Sequence, residues 1–253
     1  MKIGISALLF NINEALDICK NNKDINHIEI GIDNLEECDQ LLSYMNEFEK
    51  LDISIGIHLP MELNTCENIK YIRHSWIEFI NKINEKINIL NIKYFNLHLG
   101  YAMTSRLRRS RESYLDNCIE FFDNDKLDKN ITITIENTYS KYGDFSNIGD
   151  NVKDFEYIFN GVKNKNIYFC YDTGHFLINR DDYINKLSKK IEIVHLSDND
   201  GKKDSHIGIG KGILPEEHIK SIIEKNVKYL ILEMNYMDIE DTLRILKAYK
   251  KRY

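Results

Sequence analysis

Short apolar runs rich in Ile, Val, Tyr and Phe recur along the chain, each followed by a stretch with helical spacing. This eightfold alternation restricts the fold more than any other feature. The runs fall at 2–6, 27–31, 53–58, 94–98, 131–136, 167–172, 191–195 and 229–233. The helical stretches are 12–20, 35–50, 69–90, 113–126, 152–159, 183–190, 216–224 and 239–250. The runs are continuous more than alternating, as expected of strands buried on both faces of a parallel sheet. Eight βα units in 253 residues match the size of one (β/α)8 barrel. The sequence therefore predicts an α/β protein, a single TIM-barrel domain over residues 1–253. The rival, a doubly wound open sheet, finds no support in the first βα turn: Ser6-Ala7-Leu8-Leu9-Phe10 contains no GxGxxG.

Composition narrows the class. Only 12 Gly and 2 Pro leave no room for a flexible linker, and 43% hydrophobic residues supply a core. A net charge of -6 provides no overall basic field for nucleic acid or an anionic membrane, although a local basic patch can still exist. Cys19, Cys38, Cys66, Cys118 and Cys170 are odd in number, scattered and without CxxC spacing, which predicts reduced, buried thiols in a cytoplasmic protein. The apolar stretch 5–10 is too short for a secretory leader and runs straight into Asn11, Asn13 and Glu14. No segment approaches the roughly 20 apolar residues of a membrane span. No membrane and no protein partner is expected.

The strand ends carry the chemistry. In a barrel of this kind the active site is built where the strands end. The third strand ends in His58, the fourth in His98, the fifth in Glu136, the sixth in Asp172 with His175 three residues on, the seventh in His195 and the eighth in Glu233. Asp204 and His206 follow the seventh. Singly, a His at a strand end can cap a carbonyl and a Glu can pair with a Lys. Jointly, five of the chain's eight histidines converge with four carboxylates. His27 belongs at the opposite rim, and His74 and His218 on helices. Four carboxylates packed together are costly unless cations neutralise them. Imidazole and carboxylate without thiolate suit zinc, manganese or iron(II).

These segments carry a family resemblance. Ile57-His58-Leu59-Pro60, Leu97-His98-Leu99-Gly100, Ile135-Glu136-Asn137-Thr138, Asp172-Thr173-Gly174-His175, His195-Leu196-Ser197-Asp198, the D-x-H-x-x-I-G-x-G stretch from Asp204 to Gly212 and Leu232-Glu233 resemble, in order, the endonuclease IV and xylose-isomerase-like superfamily. In endonuclease IV the nine equivalents bind three zinc ions. The resemblance implies that His58, His98 and Glu136 hold one metal, and that Glu136 bridges to a second held by Asp172, His195 and Glu233. His175, Asp204 and His206 would hold a third. Met61 stands where the family's third-strand motif usually has an aromatic residue, Leu99 replaces a Pro, Gly174 replaces a Cys, and the spacer from His195 to Asp204 is short. These departures spare every metal ligand and count against duplex DNA as substrate. Gly208, Gly210 and Gly212 either turn the loop beside the site or are ordinary loop glycines.

Arg106, Arg108, Arg109 and Arg111 follow the fourth strand, and their clustering suggests a phosphate on the substrate, against the alternative of a solvated helix end. The resemblance thus implies a metal-dependent phosphoesterase with up to three divalent ions, zinc foremost, cutting abasic-site DNA or a smaller phosphodiester. The alternative is a single-metal sugar or sugar-phosphate isomerase or epimerase. There Glu136, Asp172, His195 and Glu233 hold the ion, Glu136 and Glu233 move the proton, and His175 binds substrate oxygens. The four further ligands favour the phosphoesterase.

Overall fold

The computed structural model describes residues 1–141 and 143–252. Its first half runs β1 (Lys2–Leu8), α1 (Ile12–Asn21), β2 (Ile25–Gly31), α2 (Leu35–Leu42), α3 (Met45–Lys50), β3 (Ser54–His58), α4 (Lys70–Ile87), β4 (Ile92–His98), β5 (Tyr101–Met103) and α5 (Thr104–Asp123). The second half runs β6 (Ile133–Glu136), β7 (Phe145–Asn147), α6 (Val152–Gly161), β8 (Ile167–Asp172), α7 (Thr173–Ile178), α8 (Tyr183–Lys186), β9 (Ile191–Leu196), α9 (Glu216–Lys225), β10 (Tyr229–Leu232) and α10 (Ile239–Arg252). Strands β1, β2, β3, β4, β6, β8, β9 and β10 close a parallel barrel in that order, with Lys2 opposite Tyr229 and Ile5 opposite Leu232 at the seam. This is the (β/α)8 architecture that the alternation predicts.

Strand alternation separates two cores. Ile28 and Ile30, Ile55 and Ile57, Phe95 and Leu97, and Ile133 and Ile135 join the helix faces in one large apolar cluster. Helix α4 contributes Ile77, Ile80, Ile83 and Ile87, spaced three and four apart along one face. The positions between them point into the barrel, where Tyr94, Cys170, Ile193 and Ile231 form a second, small cluster. Two glycines make room for it. A Cβ on Gly56 would stand 2.3 Å from Cζ of Tyr94, and one on Gly4 would stand 2.9 Å from Cδ2 of His27. Gly56→Ala is therefore expected to destabilise the protein by about 1–3 kcal/mol through overpacking. A urea midpoint equal to that of the parent would show that Tyr94 can move aside.

Three local features differ from the expected pattern. The helix expected over 35–50 is broken at Ser43 and Tyr44, where the Ser43 hydroxyl donates to the Gln40 carbonyl at 2.6 Å and competes with the helical ladder. The helix expected from residue 113 begins at Thr104 and absorbs the arginine segment, with a kink at Ser110 (φ -150°, ψ 45°). Strands β5 and β7 form a small antiparallel pair outside the barrel, Tyr101 opposite Asn147 and Met103 opposite Phe145. Three-residue strands are too short for periodicity to reveal. All five cysteines are free and buried, and no helix among the described residues is long and apolar enough to cross a membrane.

Candidate active site

Parallel register brings the strand ends level: His98 lies opposite Glu136, and Asp172 opposite His195. His58 ends β3, and Glu233 follows β10 directly. Asp172 caps α7 by accepting the His175 backbone N–H at 2.5 Å through Oδ1, which swings His175 over the same opening. Asp204 and His206 come from the connection between β9 and α9. All nine predicted side chains meet at one end of the barrel.

Glu136 is the hub. One carboxylate oxygen lies 3.4 Å from His58 Nε2 and 3.3 Å from His195 Nδ1, and the other lies 3.3 Å from both His98 Nε2 and His175 Nδ1. His195 Nδ1 also lies 2.8 Å from Glu233 and 3.9 Å from Asp172. Asp204 joins His175 Nε2 at 3.1 Å to His206 Nε2 at 3.3 Å. The donor atoms of His58, His98 and Glu136 lie within 4.8 Å of one another, and so do those of Glu136, Asp172, His195 and Glu233. These are separations that one cation per group can close.

The buried polar atoms fit that reading. His98 Nε2, Asp172 Oδ2, both ring nitrogens of His195 and Asp204 Oδ1 are buried without an aligned hydrogen-bond partner within the protein. A native interior leaves few such atoms, and five of the nine among the described residues belong to this one cluster. Backbone carbonyls orient three of the rings. His58 Nδ1 meets Leu59 O at 2.9 Å, His175 Nδ1 meets Asn137 O at 2.8 Å and His206 Nδ1 meets Glu233 O at 3.1 Å, which leaves each Nε2 for the site.

Burial and mutual charge shift these groups in opposite directions. Burial alone would raise the Glu136 carboxyl, but His195, His98, His175 and His58 hold it well below the usual carboxylate range. Burial likewise opposes Glu233, yet His195 brings it down to about 2. Asp172 is pushed up to about 7 by burial, with Glu136, Glu233 and Asp204 adding to the effect. Burial disfavours the charged forms of His58 and His195, but the carboxylates win: Glu136 and Glu29 raise His58 to about 9, and His195 is raised well above its ordinary value. His175 is raised in the same way, by Asp172, Asp204 and Glu136. In His98 burial prevails and the ring is lowered.

The centre floors a cavity of about 860 Å³ whose outer wall includes Leu8, Phe10, Met61 and Met237. No Lys or Arg is among its described lining residues. Of the four arginines expected to meet a phosphate, Arg111 is committed to Asp154, with Nε 2.8 Å from Oδ1, and to Asp150. Arg106, Arg108 and Arg109 are exposed on α5, and none of the four lines the cavity. The structure adds residues that strand-end reasoning passed over. Asn96 donates to Glu136 at 2.5 Å and accepts from Thr134 at 2.7 Å, and Glu29 lies 2.9 Å from His195 Nε2. Their trace in the sequence is polar residues at alternate positions inside apolar strands: His27 and Glu29 in β2, Asn96 in β4. His27, expected at the opposite rim, is fully buried inside the barrel.

A closed parallel barrel with a carboxylate and imidazole cluster at its C-terminal mouth defines a class, and the comparisons identify it. The model of the xylose isomerase-like TIM barrel family matches residues 25–250. The chain belongs to that family. An uncharacterized protein of Methanocaldococcus jannaschii is 27% identical over 255 residues, covering 95% of each chain. A Finegoldia magna protein named probable endonuclease 4 is 28% identical over 184 residues, 67% of this chain and 64% of that one, so the match spans just under two thirds of that relative. Among solved structures, a D-tagatose 3-epimerase-like protein superposes with a TM-score of 0.84 at 22% identity, covering 99% of this chain and 97% of that one. A Thermus thermophilus protein soaked with zinc chloride superposes with a TM-score of 0.74 at 17% identity, covering 100% of this chain and 99% of that one.

Proposed function

We propose that this chain is a metal-dependent phosphoesterase with a multinuclear centre, acting in the cytoplasm as a single domain. One observation supports the reading: Asp204 Oδ2 lies 3.1 Å from His175 Nε2 and 3.3 Å from His206 Nε2, and His175 reaches the hub through its contact with Glu136. Bound zinc, manganese or iron(II) would supply Lewis acidity to a phosphoryl oxygen and lower the pKa of a water. The chain's own residues set the frame for this. His58, His98 and Glu136 would hold one ion, Glu136, Asp172, His195 and Glu233 a second, and His175, Asp204 and His206 a third. Glu136 and Glu233 both line the cavity, so the reacting atoms would lie beside these two carboxylates.

The cavity wall selects the substrate. With no Lys or Arg in the described lining, a polyanion has nothing to grip beyond the metals, whereas Phe10, Met61 and Met237 offer apolar contact. A small phosphodiester or phosphate ester suits this wall better than a duplex with an abasic site. The same lack of cations favours a second reading, a single-metal sugar epimerase in which Glu136 and Glu233 pass a proton at the carbon next to a carbonyl.

Metal content together with two assays separates these readings. About three equivalents of metal per chain, falling on His58→Ala or Asp204→Ala, with hydrolysis of an activated phosphodiester, is the expected outcome. About one equivalent that survives both substitutions, with exchange of a ketose proton for deuterium, establishes the epimerase instead.

A further inference from the structure

His58, His98 and His206 meet the carboxylates of the cluster through Nε2 and His175 meets them through both ring nitrogens, whereas His195 meets Glu136, Asp172 and Glu233 through Nδ1 only. Its Nε2 points down into the barrel, where Glu29 Oε1 lies 2.9 Å away. That contact is close but bent, since neither ring nitrogen of His195 has an aligned hydrogen bond.

Glu29 is 2% exposed, at a depth where barrels of this kind are usually filled by branched apolar side chains. It is held from below by a column of polar groups. Tyr94 donates its phenolic hydrogen to Glu29 Oε2 at 2.7 Å, and the Tyr94 oxygen lies 3.0 Å from His27 Nε2. His27 Nδ1 lies 2.9 Å from Ser54 Oγ, and Lys2 Nζ donates to that oxygen at 3.3 Å. Because the one phenolic hydrogen is spent on Glu29, the Tyr94 oxygen must accept from His27 Nε2–H. Burial, with Lys2 and Lys93 adding to it, pushes His27 down to about 3, so the ring is neutral and Nδ1 is left to accept from Ser54. The donors all run one way, toward Glu29. Gly56 and Gly4 leave the space that Tyr94 and His27 occupy, so the column is built into the backbone as well as the side chains.

We propose that Glu29 is a positioning residue for the metal centre: anchored by Tyr94, its carboxylate takes the Nε2–H of His195 and so commits Nδ1 to the side of Glu136, Asp172 and Glu233. The inference rests on the proposed metal centre. A carboxylate behind a ligating imidazole fixes its tautomer and strengthens it as a donor. Packing alone would not call for a carboxyl side chain here, because burying one is costly without such partners.

The test uses the full chain loaded with zinc. Long-range 1H–15N correlation, with His195 assigned from the His195→Gln spectrum, is expected to show the proton on Nε2. Zinc competition against a chromophoric chelator is expected to show about 10- to 100-fold weaker binding in Glu29→Gln and a smaller loss in Tyr94→Phe. A role in packing alone would lower the melting temperature of the metal-free variants and leave zinc affinity within about twofold of the parent; that result overturns the proposal. So does a His195 proton on Nδ1. If Glu29→Gln does not fold, the parent tautomer and Tyr94→Phe decide the matter. A parent chain that takes up no zinc overturns the metal centre and this inference together, whereas zinc uptake with no effect of Glu29 overturns only the inference.

Discussion

Glu136→Gln is expected to reduce turnover by about three orders of magnitude or more and to remove metal from two positions at once. The reason is geometric. Glu136 belongs to all three sets of side chains whose donor atoms converge and contacts four imidazoles, whereas Glu233 belongs to one set. Gln keeps the shape, but it lacks the charge that offsets two cations and places an amide N–H₂ where lone pairs are needed. Elemental analysis of the purified variants checks this: Glu136→Gln should lose more metal than Glu233→Gln. Equal losses would show that Glu136 does not bridge.

Metal affinity is expected to rise steeply with pH between about 6.5 and 9, by up to about a thousandfold per unit where three histidines each release a proton. His58 is raised from 6.5 to about 9, and His175 and His195 are raised well above the same reference. At neutral pH all three carry a proton that a cation must displace. Stability follows with opposite signs in the two forms. A histidine raised on folding contributes stability that is fully present below 6.5 and is lost as pH rises through its folded value, about 9 for His58. Asp172, raised from 3.8 to about 7, adds a loss over the lower part of that rise. The chelated protein should therefore melt at lower temperature at pH 9 than at pH 6.5, while excess zinc should reverse the trend. Calorimetry with and without chelator reads the crossover; parallel curves would show that protons and metal do not compete for these rings.

Much of the centre was legible because a parallel barrel converts strand ends into neighbours. His58, His98, Glu136, Asp172, His195 and Glu233 each close an apolar run, so placing the runs placed the side chains. Asp204 and His206 were reached through their place in the loop after the seventh run, and the family resemblance of that loop then gave them a role. The arginine segment shows the limit of local reading. A cluster that suggests phosphate in the sequence is turned by α5 so that Arg111 meets Asp150 and Asp154, residues about 40 positions away. Those partners come from the chain beyond β7, and nothing near Arg111 announces them.

The sequence by itself determined the barrel and the ring of imidazoles and carboxylates at its mouth, because both follow from short-range pattern: apolar runs, helical spacing and the residue that ends each run. Only the tertiary structure decided which ring nitrogen each histidine presents, which arginines are spent on ion pairs, and that a polar column from Ser54 to Glu29 stands beneath His195. Those outcomes depend on the angle between side chains of different strands, set by the register and stagger of barrel closure. No spacing along one strand encodes that angle.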